Sequence, residues 1–427
     1  MFECIKIGNF KCIEDMGLKL GKATVLIGPN ASGKSSILHA LIMFKQLIRG
    51  TELGLSGPYM NFGKFKDVVF KHEGVESIHL ELGWSRPLTY DLKEILHARE
   101  CVINYLVEVN PSRLFQDLQI SIDSLLIQVK GEGEHRIENK WVEPENIKFK
   151  GEDATLGVGS KNFFLFPIII KSSVNELHKF NDFMSRIVDD IDNIYFVPIS
   201  RVFQDYAVEL DGKPYKDLSA EELYRRASAF LSTLSYEDEV FKKVASWMKK
   251  LFEIRVEIKP VPSEPSAPGV RRIALRTLRD ERELGKGLSN EAAGILQLLY
   301  VLAQVALADK NALIMIEEPE ISLHPKAQAA LVDIMLEILG EGKQLLFTTH
   351  SEHILFRLLT HIAAGRLRKD DLEIYYFEKP DGVTARVSRL EVDGKGRVKG
   401  GLRGFFEHDV EELSEYLKVL SHEGASP

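Results

Sequence analysis

Residues 28–35 read Gly28-Pro29-Asn30-Ala31-Ser32-Gly33-Lys34-Ser35, a glycine-rich turn ending in a lysine and a hydroxyl. The order matches G-x-x-x-x-G-K-[ST] and suits a polyphosphate. Glycines let such a loop curl until successive backbone N–H groups converge on phosphate oxygens, and the positive end of a following helix reinforces them. Lys34 would reach the β and γ phosphates, and the Ser35 hydroxyl is placed to ligate a Mg²⁺ that bridges them. A second chemistry lies far along the chain, where the apolar run Leu313-Ile314-Met315-Ile316 ends in Glu317 and Glu318. Carboxylates at the end of a buried strand are costly unless a metal or a water uses them. Glu317 is placed to face Mg²⁺, and Glu318 to orient or deprotonate an attacking water. Leu345-Leu346-Phe347 repeats the arrangement, ending in Thr348-Thr349-His350-Ser351. A histidine at such a strand end can sense a terminal phosphate.

These groups meet only if the flanking elements bring them together. Residues 2–7, 18–20 and 23–27 read as short strands, and Lys34 to Leu47 as a helix, so the phosphate loop has a strand before it and a helix after it. Near the other end, Ala312 to Ile316 and Gln344 to Thr348 read as buried strands around a helix from Pro325 to Leu339. Alternating β and α elements imply an α/β fold with a mostly parallel sheet. Between the two parts, residues 86–284 are less regular, with helical stretches around 174–191 and 220–251. The four prolines from Lys259 to Gly269 mark a loop where the chain re-enters the core. The expected organisation is a discontinuous head, 1–85 and 285–427, around an α+β insertion that acts as a lid or arm. No sustained heptads make that insertion a coiled coil. Residues 405–420, rich in acids, read as a capping amphipathic helix.

Composition narrows the rest. The chain has 427 residues with 44% hydrophobic and 28% charged side chains, which suits a globular protein of two units. A formal charge of -8 gives no global attraction to nucleic acid or anionic lipid. Within Lys242 to Lys286, however, twelve Lys/Arg face six Asp/Glu, a local excess that a phosphate backbone or plain solvation would explain. Three cysteines with no C-x-x-C pair fit a reducing compartment and no zinc site. The first residues read as a strand and not as an export signal, and the longest uncharged run, Ala292 to Ala308, is too short to span a bilayer. A cytoplasmic location without membrane contact is expected.

With G-P-N-A-S-G-K-S, I-E-E-P-E-I-S-L-H-P and T-T-H-S in this order, the chain resembles the SMC/ABC-like AAA-type ATPases related to the overcoming-lysogenization-defect (OLD) proteins and RecF. The opening Ile7-Gly8-Asn9-Phe10-Lys11 is similar to that group's first strand. The resemblance implies an ABC/SMC-type P-loop head that binds and hydrolyses ATP with Mg²⁺. Its nucleotide contacts would include Ser36 and Lys11 beside the loop itself, and its catalytic groups would be Glu318, His350 and Lys34. It also implies head-to-tail homodimerisation on ATP, each site being completed by a signature segment of the partner. The counterpart here is Leu288-Ser289-Asn290-Glu291-Ala292-Ala293-Gly294, with Ser289 as the contact, unless Ser289 or Asn290 merely caps the next helix. The segment is not LSGGQ, and His324 stands where transporters carry an aspartate, both of which argue against a transporter subunit. No glutamine lies between Gln46 and Gln116, so the glutamine that links metal to the lobe below has no assigned counterpart, and Asp67 is a candidate by position alone. The 77 residues after His350 contain no D-x-D pair, so no Toprim nuclease is expected in this chain. The group's roles lie in DNA maintenance and anti-phage defence, with double-stranded DNA or a separately encoded effector protein as further partners. A sensor that binds ATP and restrains such an effector with little turnover is the alternative.

Overall fold

In the computed structural model, the residues described are 1–48, 55–57, 59–71, 77–87, 100–109, 114–122, 125–133, 145–149, 152–161, 164–172, 187–199, 208–209, 238–261, 272–279, 282–283 and 293–400. Ser289 and residues 405–420 lie outside them, as do most of the expected helical stretches at 174–191 and 220–251. The described parts of those two stretches are helical: α3 (Ile187–Asp192) and α4 (Asp238–Phe252).

Two sheets organise the described residues. One is antiparallel and runs β2 (Ile13–Lys19), β1 (Phe2–Phe10), β4 (Ile78–Pro87), β5 (Glu100–Val109), β6 (Leu114–Ile122), β7 (Leu125–Gly133). The other holds the motifs, in the order β11 (Ile194–Val197), β16 (Leu313–Glu317), β17 (Gln344–Thr348), β3 (Ala23–Ile27), β18 (Leu372–Glu378), β19 (Arg386–Arg389). Its pairings are parallel except for β18 with β19, so the sheet is mixed. Two smaller antiparallel sheets complete the strands: β8 (Glu145–Phe149), β9 (Glu152–Lys161) and β10 (Phe164–Ser172) in one, and β12 (Val208–Glu209), β13 (Arg255–Val261), β14 (Arg272–Arg279) and β15 (Arg282–Glu283) in the other. Residues 259–261, read from sequence as the start of a proline-rich loop, thus pair with β14, because Pro260 needs no donor at an edge.

The apolar runs of the central strands follow from burial on both faces. Leu26, Leu313, Met315 and Leu346 face α1 (Lys34–Ile48) and the antiparallel sheet. Val25, Ile27, Ile314, Ile316 and Phe347 face the other way. There they meet α4 and the helices α5 (Ala293–Leu307), α6 (Pro325–Gly340) and α7 (Glu352–Ala363). Helix α1 is therefore enclosed between two sheets, and even its Lys45 and Gln46 are buried. Lys45 donates to the carbonyls of Asp192 and Ile194, fastening the helix to the start of β11, while the Gln46 carbonyl accepts from the N–H groups of Tyr59 and Met60.

The region set apart as 86–284 contributes to this body. Strand β4 runs past residue 85 and β5 continues the sheet. Strand β11 is the edge of the central sheet beside β16. Helix α4 lies against α5 and α6, with Lys250 and Trp247 both bound to Glu337. Strand β2 is longer than the 18–20 expected. As an edge strand it turns Glu14 and Asp15 to solvent, which hides its inward set of Ile13, Met16 and Leu18.

The two large sheets are bridged by Gln344, whose carbonyl accepts from the Phe2 N–H at 3.0 Å and whose amide donates to Phe2 and Gly21 at 2.7 Å each. Gln344→Leu would leave these buried groups unpaired, and a loss of about 3 kcal/mol in unfolding free energy is expected. Urea titration should show it as a lower midpoint at unchanged slope, and a change below about 1 kcal/mol would contradict the bridging role.

Candidate nucleotide and metal site

Parallel pairing brings the ends of β16, β17 and β3 to one edge, with Glu317 opposite Thr348 and Thr348 opposite Leu26. The loop between β3 and α1 crosses that edge. Gly28 has φ +139°, and a Cβ there would stand 2.2 Å from the Phe377 carbonyl oxygen of β18. Gly33 has φ +108°, with Cys12 Sγ and Ala385 Cβ at 2.9 Å from where a Cβ would be. Both glycines are thus required by backbone conformation and by close approach. Ala31, at φ +58°, takes the left-handed turn between them.

Helix α1 opens at Lys34, so its positive end adjoins the loop. Lys34 is buried, and its ammonium folds back onto the carbonyls of Gly28 at 2.9 Å and Pro29 at 2.7 Å. Burial pulls its pKa down to about 8, against the opposing charges of Glu318 and Glu320. The Ser32 hydroxyl is buried and has no hydrogen-bond partner among the described residues. Ser36 sits within the helix start, its N–H on the Gly33 carbonyl and its hydroxyl 3.6 Å from Cys12 Sγ.

Glu317 lies beneath the loop and is hydrogen-bonded by the Ser35 hydroxyl and by the Ile199 N–H at 3.1 Å. Its other oxygen is 3.2 Å from His39 Nε2. Burial raises its pKa, but the hydrogen bonds from His39, Ile199 and Ser35 outweigh that and hold it below the usual glutamate range. His39 lies one turn into α1 and was not singled out in the sequence; its Nδ1 is 2.6 Å from the Lys11 ammonium. An ammonium donating to Nδ1 leaves the ring hydrogen on Nε2, directed at Glu317. The His39 ring stands edge-on to Phe62 and Phe196, and Lys11 lies over Phe62 and Phe10. Lys11 is therefore engaged with His39 in an aromatic enclosure, where burial lowers its pKa. The signal that could have found His39 is helical spacing, since it falls one turn after Ser35 on the same face.

Glu318 has φ +40°, its N–H bound to the carbonyl and hydroxyl oxygens of Thr348 at 3.2 and 3.1 Å. Its carboxylate is 3.6 Å from His350 Nε2. Burial and the nearby Lys34 charge push the His350 pKa down against the pull of Glu318, favouring a neutral imidazole. His324, the transporter-discordant residue, caps α6 by accepting from the Lys326 N–H. Asp67 accepts from the Lys64 N–H at the start of the short helix α2 (Phe65–Val68).

The donor set fits Mg²⁺ with a nucleotide phosphate. One hydroxyl and one carboxylate lie together, and a hard ion held by one or two protein ligands completes its shell from water and phosphate oxygens. The orphaned Ser32 hydroxyl and the side-chain-free faces of Gly28 and Gly33 leave a cradle for phosphate. Among the described residues no cluster of three or more His, Cys, Asp or Glu suited to a metal occurs.

The sequence matches the AAA ATPase domain family over residues 1–83 and 238–355, the second span beginning at the first residue of α4. The chain is 22% identical over 399 residues to the OLD nuclease of Thermus scotoductus (strain ATCC 700910 / SA-01), an alignment covering 89% of this chain and 65% of that protein. The chain thus spans less than two thirds of that relative's length. Similar solved structures include an Smc head bound to the C-terminal winged-helix domain of ScpA, with a TM-score of 0.49, 14% identity and coverage of 92% of this chain and 98% of that one. Another is the SMC head domain from Thermotoga maritima, with a TM-score of 0.41, 12% identity and coverage of 92% and 99%. The resemblance to AAA-type ATPases related to OLD, read from the motifs, stands.

Replacing His39 by alanine removes the N–H that orients Glu317. The Mg²⁺ concentration needed for half-maximal nucleotide binding should rise by about 10–100-fold, with binding in EDTA unchanged. Titration of a fluorescent nucleotide at varied Mg²⁺ measures this, and an unchanged Mg²⁺ requirement would remove His39 from the site.

Proposed function

We propose that this protein is an ATPase that works as a conformational switch, binding ATP with Mg²⁺ at residues 28–36 and hydrolysing it through Glu318. The observation that carries this reading is the convergence of Lys34, Ser35, Glu317, Glu318 and His350 at one edge of the central sheet, drawn from segments about 300 residues apart. In this reading the loop N–H groups and Lys34 bind the phosphates, with Lys34 leaving the Gly28 and Pro29 carbonyls to do so. Bound Mg²⁺ would supply Lewis-acid stabilisation of charge on the phosphate oxygens. Ser35 and Glu317 hold the ion, and Glu317 is kept ionised and aimed by His39. Glu318 orients a water and accepts its proton, and neutral His350 is poised to hydrogen-bond the terminal phosphate.

The discontinuous head, 1–85 and 285–427, belongs to the same proposal, with β5, β11 and α4 from 86–284 serving it. Pairing of two heads on ATP, with Ser289 completing the partner's site, rests on the resemblance. So does a role in DNA maintenance or anti-phage defence, since the matched relative is called a nuclease. The basic stretch lends DNA little support where it is described. Lys242, Lys243, Lys250 and Arg255 are each paired with a glutamate, Lys250 with Glu337 of α6 and Lys243 with Glu341 at its end. Among the described residues no helix is long and apolar enough to cross a membrane.

Lys34→Ala should lower ATP affinity at least 100-fold, and omission of Mg²⁺ should abolish turnover. Glu318→Gln should keep ATP binding, slow hydrolysis by about 10²–10⁴-fold and accumulate a dimer by light scattering. Equal hydrolysis by Glu318→Gln and wild type would sink the mechanism. Assays with and without double-stranded DNA at two salt concentrations separate the cellular readings. Salt-sensitive stimulation favours action on DNA, and slow, DNA-indifferent turnover favours a sensor that restrains a protein partner.

A further inference from the structure

Glu320 belongs to none of the roles assigned above, yet it is the buried carboxyl nearest to them. It is 7% exposed, and it accepts the His350 N–H on Oε1 at 2.7 Å. Its Oε2 is buried and has no hydrogen-bond partner among the described residues. A side chain present for packing alone would be apolar, and an orphaned carboxyl oxygen calls for a reason. The surroundings supply one. The Glu320 carbonyl accepts the Leu323 N–H at 2.9 Å and the Glu318 carbonyl accepts the Ile321 N–H at 3.2 Å, closing a tight turn between two left-handed residues, Glu318 and Ser322. The far side of that turn presses on α5: a Cβ on Gly294 would lie 2.4 Å from the Ser322 carbonyl oxygen. A second tie runs in parallel, where Gln328 donates to the Leu323 carbonyl and accepts from the Ser351 hydroxyl.

We propose that Glu320 is a positioning residue that couples the main chain at His350 to the turn after Glu318, and through Ser322 and Gly294 to the start of α5. The inference deepens the ATPase reading, because it states how occupancy at His350 would reach the helix that follows the signature-like segment 288–294. Glu320 holds the His350 N–H by a short hydrogen bond and is also bonded by the Thr349 side chain, so a displacement of residues 349–350 moves the turn directly. Burial pushes its pKa up and Glu318 adds to that, against the hydrogen bonds from His350 and Thr349.

The test compares full-length wild type with Glu320→Gln and Glu320→Ala. Glutamine keeps the oxygen that accepts the His350 N–H, and alanine removes it. Without nucleotide, amide exchange over 345–351 should accelerate at least 10-fold in Glu320→Ala and stay within about 2-fold of wild type in Glu320→Gln. With a non-hydrolysable ATP analogue, exchange over 293–300 should change in wild type and Glu320→Gln but not in Glu320→Ala. In steady state, Glu320→Ala should lower kcat at least 10-fold at unchanged KM, and Glu320→Gln should stay within about 3-fold. A Glu320→Gln variant as impaired as alanine overturns the proposal, as does an α5 that responds equally in all three proteins. The arm without nucleotide requires no hydrolysis, so failure of the ATPase reading would show as unbound analogue while the His350 contact is still judged.

Discussion

Strands β3, β16 and β17 of the central sheet are buried on both faces, and the site depends on that constraint. A strand buried on each side can carry polar groups only where it ends, and parallel pairing puts the ends of β16, β17 and β3 at one edge. Glu317, Thr348 and the first residue of the phosphate loop follow from register and not from any attraction among themselves. The antiparallel sheet and α4 to α7 keep the two faces covered, and the motifs could be scattered along the chain because the sheet collects them.

This explains what the sequence disclosed and what it withheld. Continuous apolar runs marked β3, β16 and β17 to within a residue, because double burial leaves no polar alternation to confuse the reading. The glycine-rich loop was legible for a related reason: its glycines are dictated by φ and by the Phe377 carbonyl, so few other residues could stand there. Strand β2 was shortened in the reading because an edge strand alternates with charged residues. Helix α4 and strand β11 were assigned to an insertion because the sequence between them is irregular, yet long-range pairing returns them to the body, as β11 does beside β16.

His39 and Glu320 were invisible for a different reason. Neither belongs to a loop whose backbone demands it, and each acts through a partner remote in the chain: Glu317 and Lys11 for His39, the His350 N–H for Glu320. Lys11 was singled out, but its companion was not foreseen, since only the folded chain sets its ammonium against the ring. A titratable side chain on a buried helix face or in a turn after a motif is ordinarily read as packing. Its chemistry appears when the hydrogen-bond partners are counted.

The enclosure of α1 between two sheets has a thermodynamic side. Its Lys45 and Gln46 are committed to fixing the helix against β11 and against residues 59–60, and its residues 36–38 and 40–48 are buried. The curled loop ahead of it has one end anchored, and Lys34 rests on the loop's own carbonyls where the proposed phosphate would otherwise hold it. Preorganisation of this kind spares the ligand the entropy of ordering the chain, so affinity is set mainly by the exchange of one set of lysine hydrogen bonds for another.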